Sequence, residues 1–136
     1  MIARQCKGAA AACAVATAFL VGCSSSSSTP AVCSSVTSLK TSVTDLKNVN
    51  VRANGLSAVS DQLNKIEQEL KTIKSEAQSQ YSTQINGLST SLSGLSSSVN
   101  AAKANPSGGT LSAVASSTKT VVTAGNNLVT AISNTC

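Results

Sequence analysis

The chain of 136 residues has no histidine, no tryptophan, one phenylalanine, one tyrosine and only five acidic residues. Without an imidazole, Ser-His and Cys-His nucleophile arrangements are excluded, and the lysines stand in no recognisable nucleophile motif. Metal binding loses its usual nitrogen ligand, and the scattered carboxylates Asp45, Asp61, Glu67, Glu69 and Glu76 follow no EF-hand spacing. No glycine-rich loop follows a strand to cradle phosphates. These absences predict a protein that is not an enzyme and takes no cofactor or metal. The many serines then read as small polar residues of helix surfaces and linkers.

A long hydrophobic run is missing too. The apolar and small residues from Gly8 to Val21 reach about 21 Å as a helix, against the ~30 Å of hydrocarbon that a membrane span must cross. With Arg4 and Lys7 in front, the segment has the grammar of an export signal. It closes on Leu20-Val21-Gly22-Cys23, and five serines, Ser24 to Ser28, follow. These four residues resemble the lipobox of bacterial lipoproteins. The resemblance implies cleavage before Cys23 and a diacylglycerol on its thiol, so residues 1–22 are expected to be the signal peptide and 23–32 a lipidated serine-rich tether. Ordinary signal-peptidase cleavage after Ala16-Thr17-Ala18 is the alternative. It would leave Phe19, Leu20 and Val21 exposed at the new terminus.

Removal of the signal takes Arg4 and Lys7 with it and lowers the formal net charge from +5 to +3. That modest charge forms no basic stripe, and one remaining aromatic cannot make a stacking platform, so nucleic acid is not an expected partner. A core without large aromatics must come from helix seams. Of the five cysteines, Cys6 and Cys13 leave with the signal and Cys23 is acylated, which leaves Cys33 and Cys136 as an even pair. In an oxidising compartment that pair predicts a disulfide.

From residue 33 to 136 the apolar residues repeat at three and four, which predicts an all-α helical domain. Val36, Leu39, Val43 and Leu46 form the first set, and Leu56, Val59, Leu63, Ile66, Leu70 and Ile73 the second. The register continues through Ala77, Tyr81 and Ile85 into Leu88, Leu92, Leu95, Val99 and Ala102. Successive spacings of four around Tyr81 make a stutter, which unwinds a coiled-coil seam locally. A last set runs from Leu111 and Val114 through Thr118, Val121, Gly125 and Leu128 to Ile132. The stretch from Asn50 to Gly55, which contains Asn54-Gly55, and the stretch from Asn105 to Gly109 break the pattern, and Thr110 is placed to cap the helix that follows. Asn86-Gly87 also carries a turn signal, yet the register passes through it unbroken.

In an antiparallel pair, seam residues meet in layers with a constant sum of position numbers. Val36 with Ile73, Leu39 with Leu70, Val43 with Ile66 and Leu46 with Leu63 obey one such rule, centred on Asn54-Gly55. Leu111 with Ala102, Val114 with Val99, Val121 with Leu92 and Leu128 with Ile85 obey another, centred on Pro106-Ser107. Extended, the two rules bring Cys33 and Cys136 beside Glu76 and Ala77. The expected architecture is a long central helix over 56–104 with a shorter helix folded back on each half. A compact four-helix bundle broken at Asn86-Gly87 is the alternative.

Asp61 with Lys65 and Glu67 with Lys71 are spaced for helix-surface pairs, and Lys40 falls near Glu67 and Glu69. Tyr81 is expected beside the disulfide, with its hydroxyl at the surface. Thr118 and Gly125 leave space on the last seam, where a groove facing Leu95 and Leu88 would suit an apolar ligand; close helix packing is the simpler use of such small residues. The chain resembles small actinobacterial lipoproteins of unassigned function. The resemblance rests on Leu20 to Cys23, Ser24 to Ser28, Cys33, the segment Asn54-Gly55-Leu56-Ser57-Ala58-Val59, and Cys136, and it implies localisation and fold without implying an activity. The function expected is a non-enzymatic structural or interaction module of the cell envelope, held to the extracytoplasmic face of the cell membrane by lipid on Cys23 and docking an envelope protein. A carrier of an apolar ligand between helices and an immunity or exclusion lipoprotein are the alternatives.

Overall fold

A computed structural model describes residues 30–77 and 79–136; the signal segment and most of the tether, including Cys23, lie outside the described residues. Four helices follow one another: α1 (Ala31–Asn48), α2 (Val51–Glu76), α3 (Ser82–Ala104) and α4 (Gly108–Ser133). Each packs on two neighbours in a closed ring, α1 on α2, α2 on α3, α3 on α4 and α4 on α1. With short connections between consecutive helices, this is an antiparallel up-down-up-down bundle. The all-α class holds, and the compact four-helix bundle is the architecture, though without the break expected at Asn86-Gly87.

The long central helix does not hold. The chain leaves helical geometry after Glu76 and resumes it at Ser82, with Ala77 and Tyr81 flanking the turn. Asn86-Gly87 lies within α3, so the break sits at the stutter and not at the Asn-Gly pair. The physical reason is burial. In a rod, each half of a long helix has one partner and a narrow seam; folding α2 back on α3 gives every helix two neighbours. Ile73, Tyr81 and Ile85, which bracket the turn, are all buried.

Nearly every seam residue read from the periodicity is in the core, from Val36 and Leu39 in α1 to Leu128 and Ile132 in α4. Leu56, Leu111 and Thr118 are half-buried. Two core residues lie beside the seams: Ser42, next to Val43, and Val129, next to Leu128. A helix with two partners needs an apolar face wider than a two-stranded seam, and these flanking positions supply it. Ser42 is buried as a polar residue because its Oγ donates to Glu69 Oε1 at 2.8 Å. That bond, not an ion pair with Lys40, is what Glu69 makes across the α1–α2 interface.

The helix ends follow local chemistry. α1 begins two residues before Cys33, inside the segment expected to be tether, where the Pro30 carbonyl accepts from Cys33 N–H at 2.8 Å. Asn50 caps α2, its side chain accepting from Arg52 and Ala53 N–H at 3.1 and 3.2 Å. Ser107, not Thr110, is the N-cap of α4. Thr110 is the reciprocal residue of a capping box, its N–H donating to Ser107 Oγ while its hydroxyl accepts from Ser107 N–H at 2.9 Å.

Two glycines test the architecture. Gly55 has φ 72° and ψ 176°, a conformation open to glycine almost alone, and it kinks α2 after its first turn. Gly55→Ala is expected to destabilise the domain by about 1 kcal/mol, read as a lower urea midpoint with unchanged slope. Gly87 has helical neighbours and open space around a would-be Cβ. Gly87→Ala is therefore expected to stabilise by about 0.5–1 kcal/mol, whereas a turn at Asn86-Gly87 would make the same change costly.

Candidate functional site

The two ends of the bundle differ in what they can do. One end gathers the α1 N-terminus, the α4 C-terminus and the α2–α3 turn. Here Cys33 and Cys136 are joined by a disulfide, with their Cα atoms 5.8 Å apart and a sequence separation of 103. Cys33 is buried, while Cys136 is exposed. Tyr81 is buried except for 8% of its surface, and its hydroxyl shares a hydrogen bond of 2.8 Å with Thr135 Oγ1, one residue from Cys136. The tyrosine thus clips the turn to the C-terminus instead of presenting its hydroxyl to solvent. A shallow cleft at this end is lined by Pro30, Val32, Glu76, Tyr81 and Thr135, among others. Glu76 Oε2 is buried near it without a hydrogen-bond partner. The sequence rules that carried both cysteines to the level of Glu76 and Ala77 are met by this arrangement.

Between the ends, small residues serve packing. A Cβ added at Gly125 would stand 2.6 Å from Val43 Cγ2, so the glycine lets α4 approach α1 closely. The groove expected over Gly125, facing Leu95 and Leu88, is absent there because α1 fills that side. A smaller depression between α2 and α3, of about 260 Å³, is lined by polar and charged residues such as Glu67, Lys71 and Asn86 around Leu70 and Ile85.

The opposite end carries the larger concavity. The Cys33–Cys136 bond and the Val43–Gly125 contact fix the register of α1 on α4, and counting onward from them brings the last residue of α1 level with residues 120–121. The first three turns of α4 thus extend beyond α1, and the connection Val49-Asn50 with the kinked first turn of α2 covers them only in part. A groove of about 510 Å³ remains. Its walls are apolar, from Leu46, Val49, Val51, Val59 and Val122, with Thr118 among them and Lys47 and Lys119 as its only charged lining residues. It continues into a cleft between Val51-Arg52 and the start of α4 at Gly108 and Leu111. Sequence reasoning singled out Thr118 but missed Val49, Val51 and Val122; the two valines flanking Asn50 in a connection were the available signal for the first two.

No described helix is long and apolar enough to cross a membrane. Among the described residues, no group of three or more metal-ligating side chains comes together. The fold and its two ends define a disulfide-closed antiparallel four-helix bundle. Comparisons of the chain with protein-family models, with curated proteins and with solved structures find no match.

Proposed function

We propose that the protein is a membrane-anchored cell-envelope lipoprotein, a non-enzymatic module whose bundle is presented to partners on the extracytoplasmic face. The observation that favours this reading is the position of the chain ends. Pro30 and Cys136 belong to the same end of the bundle, tied by the disulfide, so a lipid on Cys23 would put that end next to the membrane. When upright on that end the bundle would reach outward by about the length of α4, roughly 39 Å for 26 residues. Acyl chains contribute ~0.8 kcal/mol per buried methylene, and two or more make the anchor effectively permanent. The serine run between Cys23 and Pro30 supplies reach without fixing orientation.

The disulfide suits that role because an envelope protein works outside the reach of cytoplasmic repair, and the crosslink holds together the first and last helices of a domain with a small aliphatic core. The test is the intact mass of protein extracted from its native envelope. Residues 23–136 plus acyl chains are expected, rising by two protons on reduction, with the protein in the detergent phase. In Cys23→Ala the acylated form should disappear and the unprocessed chain accumulate. A lipid-free chain beginning at Phe19 in the aqueous phase would overturn the reading.

A further inference from the structure

We propose that the groove at the end of the bundle remote from the disulfide binds a single-chain amphiphile with an anionic head, and specifically the carboxylate of a long-chain fatty acid. The proposal goes beyond the anchoring role and does not depend on it.

Three features of the groove carry the assignment. The first is its form: about 510 Å³ bounded mainly by aliphatic side chains, open on one side, and within the size range of small-molecule sites. That volume suits one acyl chain better than the two chains and headgroup of a phospholipid. The groove also results from the fold, because α1 stops short of α4 and Gly55 turns the start of α2 aside.

The second feature is charge. Lys47 and Lys119 are exposed lining residues, one from each wall, and no carboxylate lines the groove. Arg52 lines the adjoining cleft, again without a carboxylate. A ligand whose tail lies along Val49, Val59 and Val122 thus meets ammonium groups where its head emerges, and an anionic head gains charge-assisted hydrogen bonds there. A cationic head would be repelled.

The third is an orphaned hydroxyl. Thr37, Thr41, Thr44, Thr72 and Thr120 each donate to the carbonyl four residues back in their helix. Thr118, which lines the groove, does not, and its Oγ1 is buried with no hydrogen-bond partner. A buried hydroxyl left unpaired is unfavourable. In the proposed ligand only the carboxylate could pair this hydroxyl, with the groove opened enough to admit the head beside Lys119, the next residue along the lining.

The test uses the purified full chain and a diazirine-bearing long-chain fatty acid as probe, with the crosslinked peptides mapped by mass spectrometry. Crosslinks are expected within 46–59 and 115–123, competed away by excess unlabelled fatty acid. Lys47→Glu with Lys119→Glu leaves the core untouched and should reduce the labelling about tenfold. Val122→Trp, at a half-buried wall position, should reduce it similarly, and thermal melts of both variants establish that they fold. A diazirine alkylamine of the same length should label the site weakly. Crosslinks spread over the exposed helix faces, or labelling unchanged in both variants, would overturn the site. Equal labelling by the alkylamine would overturn the anionic head.

Discussion

Removing the Cys33–Cys136 disulfide is expected to cost the domain about 3–5 kcal/mol. The crosslink spans 103 residues, nearly the whole of the described chain, and in the chain-entropy model a loop of about 100 residues corresponds to ~4.7 kcal/mol. Few other single features can contribute as much, since domains of this size are stable by only about 5–15 kcal/mol. The bond holds α1 against α4, the two helices that close the ring, and without it the 18-residue α1 depends on its seam alone. Cys33 is buried, so a serine there adds a desolvation cost that has nothing to do with the crosslink. Chemical reduction of the wild-type protein and the double variant Cys33→Ala, Cys136→Ala should therefore be compared. Both are expected to lower the melting temperature by on the order of 15 °C or more. Amide exchange should accelerate first in the opening turn of α1 and the closing turn of α4. A reduced protein that melts where the oxidised one does would mean that the bundle's core alone sets its stability.

Most of the core was legible because periodicity reports which face of a helix is apolar, whatever that face later meets. Val36 to Leu46 and Leu88 to Ala102 are buried as their spacing implies. The turn at Pro106 was legible for a different reason, because proline carries a backbone constraint that acts locally; Asn54-Gly55 instead marks a kink inside α2, which starts at Val51 and not at Leu56, and the α1–α2 connection falls at Val49-Asn50. The α2–α3 turn was not legible, because no glycine or proline occurs between Ile73 and Ile85. Tertiary burial bends the chain there, and the only local sign was the stutter at Ala77 and Tyr81. Asn86-Gly87 misled in the opposite sense, since α3 absorbs the glycine while Ile85 and Leu88 stay in the core on either side.

The break had a consequence for the candidate sites. Along a rod, α1 and α4 would lie on opposite halves of the central helix and meet only at their cysteines. In the bundle they are neighbours along their length, so Gly125 faces Val43 instead of open space. The free volume is displaced to where the shorter α1 ends. Helix length is visible in a sequence, but which helices become neighbours is a property of the closed ring. That is why Thr118 was recognisable as a groove residue while its partners Val49, Val51 and Val122 were not.

The α1–α4 contact gives the second large effect. Gly125→Ala is expected to destabilise the domain by about 1–3 kcal/mol, although alanine is the better helix former by ~1 kcal/mol. The added methyl would lie 2.6 Å from Val43 Cγ2 and 3.3 Å from Cγ1, so neither branch can turn away to make room. A β-branched side chain in a helix is held to one rotamer, and the strain must pass to the backbone of α1 or α4. Val43 is 1% exposed, and Val43→Ala alone should cost about 2 kcal/mol or more through the cavity it leaves. Combined, the two changes remove two methyls from the α1 side of the interface and return one from the α4 side. The double variant should thus be more stable than the sum of the single costs by about 1–2 kcal/mol, a coupling that urea denaturation of all four proteins would resolve. Costs that simply add would mean that α4 is not seated on Val43. Gly87→Ala is the internal control, since it puts the same methyl on a face of α3 where nothing lies within 4 Å and should stabilise.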